Sequence, residues 1–411
     1  MAQEPKRNRH HAAPRRELYI PRKTRWAIAL SALGVIVVCL LITAFVRGWI
    51  ELPKWPSSTD ETTPPQVQED TVIHIVAGGD VNITDRVVFA GGSGYDYSNV
   101  FMDILPVLSG ADLTIANFEG NACGAPYGSQ MNSAPQQLLS ALQSAGVDVL
   151  QTANSHALTN GLIGLVATND AIRAAGMQPL GTYANQREFE KYGGYLIYEV
   201  KGIRIALVAF TKGMDGRSLP EGREDCVNLL YTDYSSTYKS IDRDGITAVL
   251  QAAAAEEPDI TIALLHWGGE NNDLLSSSQE SICSLMEGLG VDAIIGTHSH
   301  HVQKMGFREE TGMFVAYCLG DLMGDAETAN TSYSVLLDLE ITKDGPTGQV
   351  RISGYDYTPV YLNYGDDGSL QLQRIQEALA AYESNYIASI SDEAYAAMKA
   401  ALSRIQSRVE G

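Results

Sequence analysis

The chain has 411 residues, with 29 Lys or Arg against 49 Asp or Glu and a formal net charge of −20. Such a surface has no footprint for nucleic acid and repels a polyanion unless a local patch or a metal intervenes. Five cysteines without CxxC spacing argue against a thiolate zinc site.

The first 25 residues hold eight of the basic side chains, and residues 26 to 46 carry no charge. That uncharged run is long enough to cross a bilayer as a helix, and no small-x-small cleavage site follows it, which predicts an uncleaved anchor. The basic flank then keeps the N-terminus in the cytoplasm and places the remainder outside. Residues 51 to 70, "ELPKWPSSTDETTPPQVQED", are polar and Pro-rich, as a stalk is. The expected organisation is a basic tail (1–25), a transmembrane anchor (26–46), a stalk (47–70), one main domain (71–365) and a helical extension (366–411).

Seven short apolar runs follow the stalk: 72–80, 112–119, 147–156, 204–211, 259–268, 291–300 and 313–321. Each suits a strand buried on both faces of a sheet. Helix-like stretches between them, such as 134–146 and 276–290, end in Gly, and the alternation predicts an α/β fold. Two further helical patterns begin near residue 369, the second opening at Ser391 with acidic residues and closing in Arg and Gly. Cys283 falls at an apolar helical position and reads as core, while Cys39 lies in the anchor. Cys123 and Cys226 lie in loop-like sequence, and sequence leaves open whether they pair.

All but one of these runs end in residues able to bind a hard or borderline metal. Asp80, Glu119, Asn154 with His156, His266, and His298 with His300 occupy those ends. Ligands of α/β sheets bind beyond the carboxyl ends of strands, so these side chains can converge. One His or Asp after a strand is more often a turn or capping residue than a ligand; seven residues at five strand ends are harder to dismiss. If 298 to 300 is extended chain, His298 and His300 share a face and His301 points away. Flanking glycines would let backbone approach a bound group. Imidazole, carboxylate and amide oxygen suit Mn, Zn or Fe, as one or two ions. His74, inside a strand, reads as a structural residue.

The ordered series "GGDVN", "NFEG", "ANSHALTNG", "LHWGGE", "GTHSHHVQ" and "YCLGD" resembles the capsule-synthesis CapA proteins, also called poly-γ-glutamate synthesis accessory proteins, across residues 72 to 325. The family's signatures run GD, NLE, ANNHxxDxG, HWGxE, GxHPHxxQ and YSLGN. The resemblance implies a four-layer α/β/β/α metallophosphoesterase-like sandwich, here preceded by one transmembrane helix, and a role in production or export of an anionic envelope polymer such as poly-γ-glutamate. It also implies possible membrane-bound synthase partners. By position, Asp80, Glu119, His266, His298 and His300 match metal residues, and His156 matches a His that protonates leaving groups in related phosphoesterases. Glu270 and Gln303 match without an assigned role, and Arg86 is matched to an Arg after the GD motif, where it would contact an anion.

The sequence departs from the family in one loop. Where related proteins place a ligating Asn directly before the His, this chain has Ser155; Asn154 takes that role only if the loop shifts by one residue. The family's Asp three residues after the His is replaced by Thr159, which removes an orienting carboxylate, and Asp321 replaces the Asn of YSLGN. Three functions remain open: an accessory protein handling a polyanion, a metal-dependent phosphoesterase acting on an envelope or nucleotide substrate, and a metal-free scaffold.

Overall fold

A computed structural model describes residues 22 to 47, 69 to 385 and 390 to 410, so most of the basic tail and the stalk lie outside the described residues. The chain divides into two compact units, Met1–Gln66 and Val67–Gly411. In the first, Arg22–Val46 is a helix. Its described apolar side chains are exposed on every face, among them Leu33, Val35, Ile36, Leu40, Leu41 and Phe45. Among the described residues no helix is long and apolar enough to cross a membrane.

The second unit is a mixed α/β fold with two sheets. Its strands are β1 (Thr71–Asn82), β2 (Leu113–Glu119), β3 (Val149–Gln151), β4 (Gln178–Leu180), β5 (Tyr195–Val200), β6 (Ile203–Thr211), β7 (Ile260–His266), β8 (Ala293–Thr297), β9 (Met305–Phe307), β10 (Phe314–Ala316), β11 (Asp321–Met323), β12 (Tyr333–Lys343), β13 (Val350–Tyr364) and β14 (Leu370–Arg374). One sheet runs β14-β13-β12-β1-β2-β3-β4 with β11 alongside β1, and the other runs β5-β6-β7-β8-β10-β9.

Period-two alternation sorts the side chains into three cores. Ile73, Ile75 and Ala77 of β1 enter the same core as Ile203, Ile205 and Leu207 of β6 and Ile260 and Ile262 of β7, so the sheets face one another. The alternate residues turn outward. Val76 and Ala116 pack with Leu138 and Leu142 of helix Gln136–Ala145, while Ala206 and Leu265 pack with Ile246 and Ile282 of helices Arg243–Ala254 and Ser277–Gly288. Helices, sheet, sheet and helices therefore stack in four layers.

β1, β2 and β3 run parallel, as do β6, β7 and β8, so their carboxyl ends gather at one rim of each sheet. The predicted helical extension instead opens with β14, which completes the first sheet, and helices Ile375–Glu383 and Asp392–Glu410 bury Ile375, Leu379, Met398 and Ile405 in the inter-sheet core. A new strand forms because Leu370 and Leu372 alternate with polar residues and pair with β13. Cys123 and Cys226 are free thiols, Cys226 buried and Cys123 half-buried.

Candidate metal centre

Asp80 is fixed by the close approach of two backbones. Its amide donates to the Gly320 carbonyl at 3.0 Å, and a side chain on Gly79 would collide with that carbonyl. The glycine of "GGD" thus admits another strand of the protein, where sequence suggested room for a bound group. Asp80 stands in register with Asn117 of β2 and Asp321 of β11. Asn117 Nδ2 donates to Asp80 Oδ1 at 2.5 Å, and the His298 backbone N–H donates to Asp80 Oδ2 at 3.0 Å.

Around this carboxylate the strand ends converge. His266 Nε2 lies 3.2 Å from Glu119 Oε1 and 3.0 Å from His298 Nδ1. His300 Nδ1 pairs with Asp321 Oδ1 at 2.7 Å and lies 3.8 Å from Asp80 Oδ2. One donor atom each from Glu119, His266 and His298 falls within 4.8 Å of the others, and the same holds for Asp80, Glu119 and His300. Glu119 belongs to both groups, so the arrangement is two overlapping half-sites joined by one carboxylate.

His298 and His300 reach the centre by a route that alternation in a strand does not describe. β8 ends at Thr297, and both histidines sit in the left-handed region, at φ 92° and 58°. Non-glycine residues rarely hold such values, and strain of this kind concentrates at functional sites. His301 does turn away, its Nδ1 lying 2.6 Å from Asp273 Oδ1, with Arg408 Nη2 donating to Asp273 Oδ2 at 2.7 Å.

The loop after β3 decides between its two candidates. Asn154 spends both ends of its amide on the protein: Nδ2 donates to Asn117 Oδ1 and to the Phe118 carbonyl, and Oδ1 accepts from the His156 N–H. Ser155 faces the histidines instead, with Oγ 3.0 Å from His266 Nε2 and 3.4 Å from His298 Nδ1. Asn154, the amide ligand considered from sequence, is therefore a loop brace, because only three residues of β3 are extended and the chain bends at once. His156 is partly buried, its Nδ1 3.2 Å from Thr159 Oγ1 and 3.9 Å from Asp215 Oδ2.

The remaining candidates lie at the edges. Arg86 does not reach for an anion: helix Asp85–Ala90 carries it to the Asp325 carbonyl at 2.5 Å and over the Tyr364 ring at 3.8 Å. Gln303 Nε2 donates to the Asn272 carbonyl at 2.8 Å. Glu270 is exposed, and its charge acts on Glu119 and on Lys212. His74 pairs with Asp338 at 3.0 Å within the sheet, away from the chemistry.

The electrostatics ask for cations. Burial pushes the Asp80 carboxyl up, with the Glu119 charge adding to it, and burial likewise raises Glu119. Burial holds His266 down at about 4 and His298 well below the ordinary histidine value, so both keep lone pairs. His300 runs the other way: burial opposes its charge, but the carboxylates of Asp321, Glu119 and Asp80 outweigh that and raise it. Glu119 Oε2 and His298 Nε2 are buried without a hydrogen-bond partner. Buried carboxylates, neutral imidazoles and orphaned donor atoms fit divalent ions with nitrogen and oxygen preference. Asp321 on His300 Nδ1 supplies a carboxylate that orients the His300 ring.

Sequence comparison places this centre in a family. The model described as bacterial capsule synthesis protein PGA_cap matches residues 74–326, which contain all the half-site residues. The chain belongs to that family. It is 24% identical over 306 residues to the capsule biosynthesis protein CapA of Bacillus anthracis, covering 71% of this chain and 69% of that protein. It is 22% identical over 333 residues to the PGA biosynthesis protein CapA of Bacillus subtilis, covering 79% and 80%. Among solved structures it is similar to a calcineurin-like phosphoesterase of Bacillus subtilis (15% identity, TM-score 0.44, 71% of this chain and 90% of that one). It is also similar to a hypothetical protein of Thermus thermophilus (15% identity, TM-score 0.44, 70% and 98%).

Three side chains of the loop after β6, Lys212, Asp215 and Arg217, escaped prediction. Their run, "TKGMDGR", follows the one apolar segment without a metal-type end. That missing end was the available signal.

Proposed function

We propose that this chain is a membrane-anchored, extracytoplasmic capsule-synthesis protein that handles an anionic envelope polymer, such as poly-γ-glutamate, at a divalent-metal centre. The observation that carries the centre is the sharing of Glu119 between two donor groups. One ion would be held by Asp80, Glu119 and His300, and the other by Glu119, His266 and His298 with the Ser155 hydroxyl. Bound Mn or Zn supplies Lewis acidity toward an anionic oxygen. The protein's own part is to position that oxygen and to hold His156, which burial keeps below the ordinary histidine value against the pull of Glu119, ready to move a proton.

Anchoring is supported by the basic residues before Trp26 and the uncharged run after it, whose described Leu, Ile, Val and Phe side chains are exposed. The polymer is suggested by the names of the relatives, and membrane-bound synthase subunits are the partners such a role calls for. A second function, hydrolysis of a phosphate ester, draws support from His156, which Asp215 approaches from the β6 loop where Thr159 replaces the usual acid. Ser155 counts against efficient turnover, because a neutral hydroxyl is a shorter and poorer ligand than an amide.

Elemental analysis of the purified protein tests the centre. Up to two Mn or Zn per chain are expected, and a chain that binds neither would leave the metal-free scaffold standing. Protease added to intact cells tests the anchoring: the domain after residue 70 should be degraded, and its protection would reverse the topology.

A further inference from the structure

The loop after β6 brings cations to a site otherwise built from carboxylates and imidazoles. The Lys212 backbone N–H donates to the His266 carbonyl at 2.8 Å, which seats this residue directly beside a half-site. Its ammonium donates to the Gly268 carbonyl at 2.7 Å and lies 4.6 Å from the centre of the Tyr238 ring. Both partners are neutral, and among the described residues Lys212 makes no ion pair. Glu270 and Asp215 act on it electrostatically without closing on it.

A half-buried ammonium normally recruits a carboxylate, since removing its charge from water is costly. This one has three donors and spends one on Gly268, and its charge opposes protonation of His266 and His298. Arg217 lies on the same loop, five residues further on. Its Nη1 lies 3.8 Å from Asp215 Oδ2, and that oxygen lies 3.9 Å from His156 Nδ1. Two cations therefore border the proton-handling edge of the centre.

We infer that Lys212 and Arg217 form a subsite for an anionic oxygen group of the substrate, a phosphate or a carboxylate, next to the two half-sites. This deepens the proposed function and rests on it for what the centre then does with the group. Lys212 holds the anion from the β7 side; Arg217, more exposed and already shared with Asp215, contributes less.

Calorimetric titration of the full-length, Mn-loaded protein tests the inference, with inorganic phosphate and a short glutamate oligomer as separate probes. Metal content is read on the same samples by elemental analysis. Lys212→Met should weaken one probe by about tenfold or more, the scale of a lost charge-assisted hydrogen bond, at unchanged metal content. Lys212→Arg should restore most of the affinity, and Arg217→Met should lose less. Dependence with phosphate assigns an ester substrate, and dependence with the oligomer assigns a carboxylate polymer. A folded Lys212→Met protein that binds both probes like the unaltered chain overturns the subsite, as does failure of both probes to bind the unaltered chain. Absence of metal from the unaltered chain counts against the metal centre alone, because Lys212-dependent anion binding is read separately.

Discussion

The two half-sites share Glu119 yet are built to different standards. On the first, Asp80 is clamped by Asn117 and the His298 amide, and His300 is oriented by Asp321. On the second, His266 and His298 face one another at 3.0 Å with a serine hydroxyl beside both, and His298 Nε2 has no partner. Asp80 and His300 on the first side are each held by another protein group, and on the second His266 Nδ1 is braced by Thr297 Oγ1 at 3.1 Å while His298 Nε2 stays unpartnered. Shared ligation thus does not imply equal occupancy: the first position should fill at lower metal concentration than the second.

The harshest way to break this comparison is to remove what the sides share. Glu119→Gln should cost both ions, with affinity falling ~100-fold or more, beyond the range usual for supporting residues, and elemental analysis should find almost no metal. Single removals should then separate the sides. His300→Ala should empty the first position and His266→Ala the second, each leaving up to one ion per chain; equal loss of both ions in either variant would show that the sides are not independent.

Subtler changes sharpen the difference. Asp321→Asn removes the carboxylate behind His300 and should weaken only the first position by roughly 10–100-fold, seen as a shift in one of two binding steps on Mn titration. Ser155→Asn should strengthen only the second, by on the order of tenfold from an added amide ligand, whereas Asn154→Ala, which touches no half-site, should move metal affinity little and lower thermal stability. His301→Ala should leave metal content intact and lower folding stability by less than about 1 kcal/mol, since Asp273 is half exposed and keeps its Arg408 partner, measured by denaturant unfolding.

The parallel strands and the polar residues at their ends were legible because continuous apolar runs and terminal Asp, Glu and His are local signals. Asp80, Glu119 and His266 needed only that, whereas His298 and His300 follow β8 in left-handed backbone that the extended-chain reading did not describe. β12, β13 and β14 were not legible: their long antiparallel pairing depends on partners far along the chain, and β13 is half-exposed and rich in polar residues. The loop after β3 illustrates a second limit. Extended-chain alternation cannot say which of Asn154 and Ser155 faces inward once the chain bends, and tertiary contacts with Asn117 and Phe118 decide it. Lys212 was missed for a simpler reason, since one lysine after a strand carries no pattern of its own.

β1 lies between β2 and β12, with Thr71 opposite Lys343, and Arg408 in the final helix reaches back to Asp273. The order of synthesis then matters. At roughly 5–20 residues per second of synthesis, Asp80 emerges tens of seconds before Asp321 and the strands that enclose it. The nascent chain cannot assemble the centre in stages, and pairing across such long separations makes folding slow. Metal capture at this centre would therefore be a late event, following synthesis of β11 and β12.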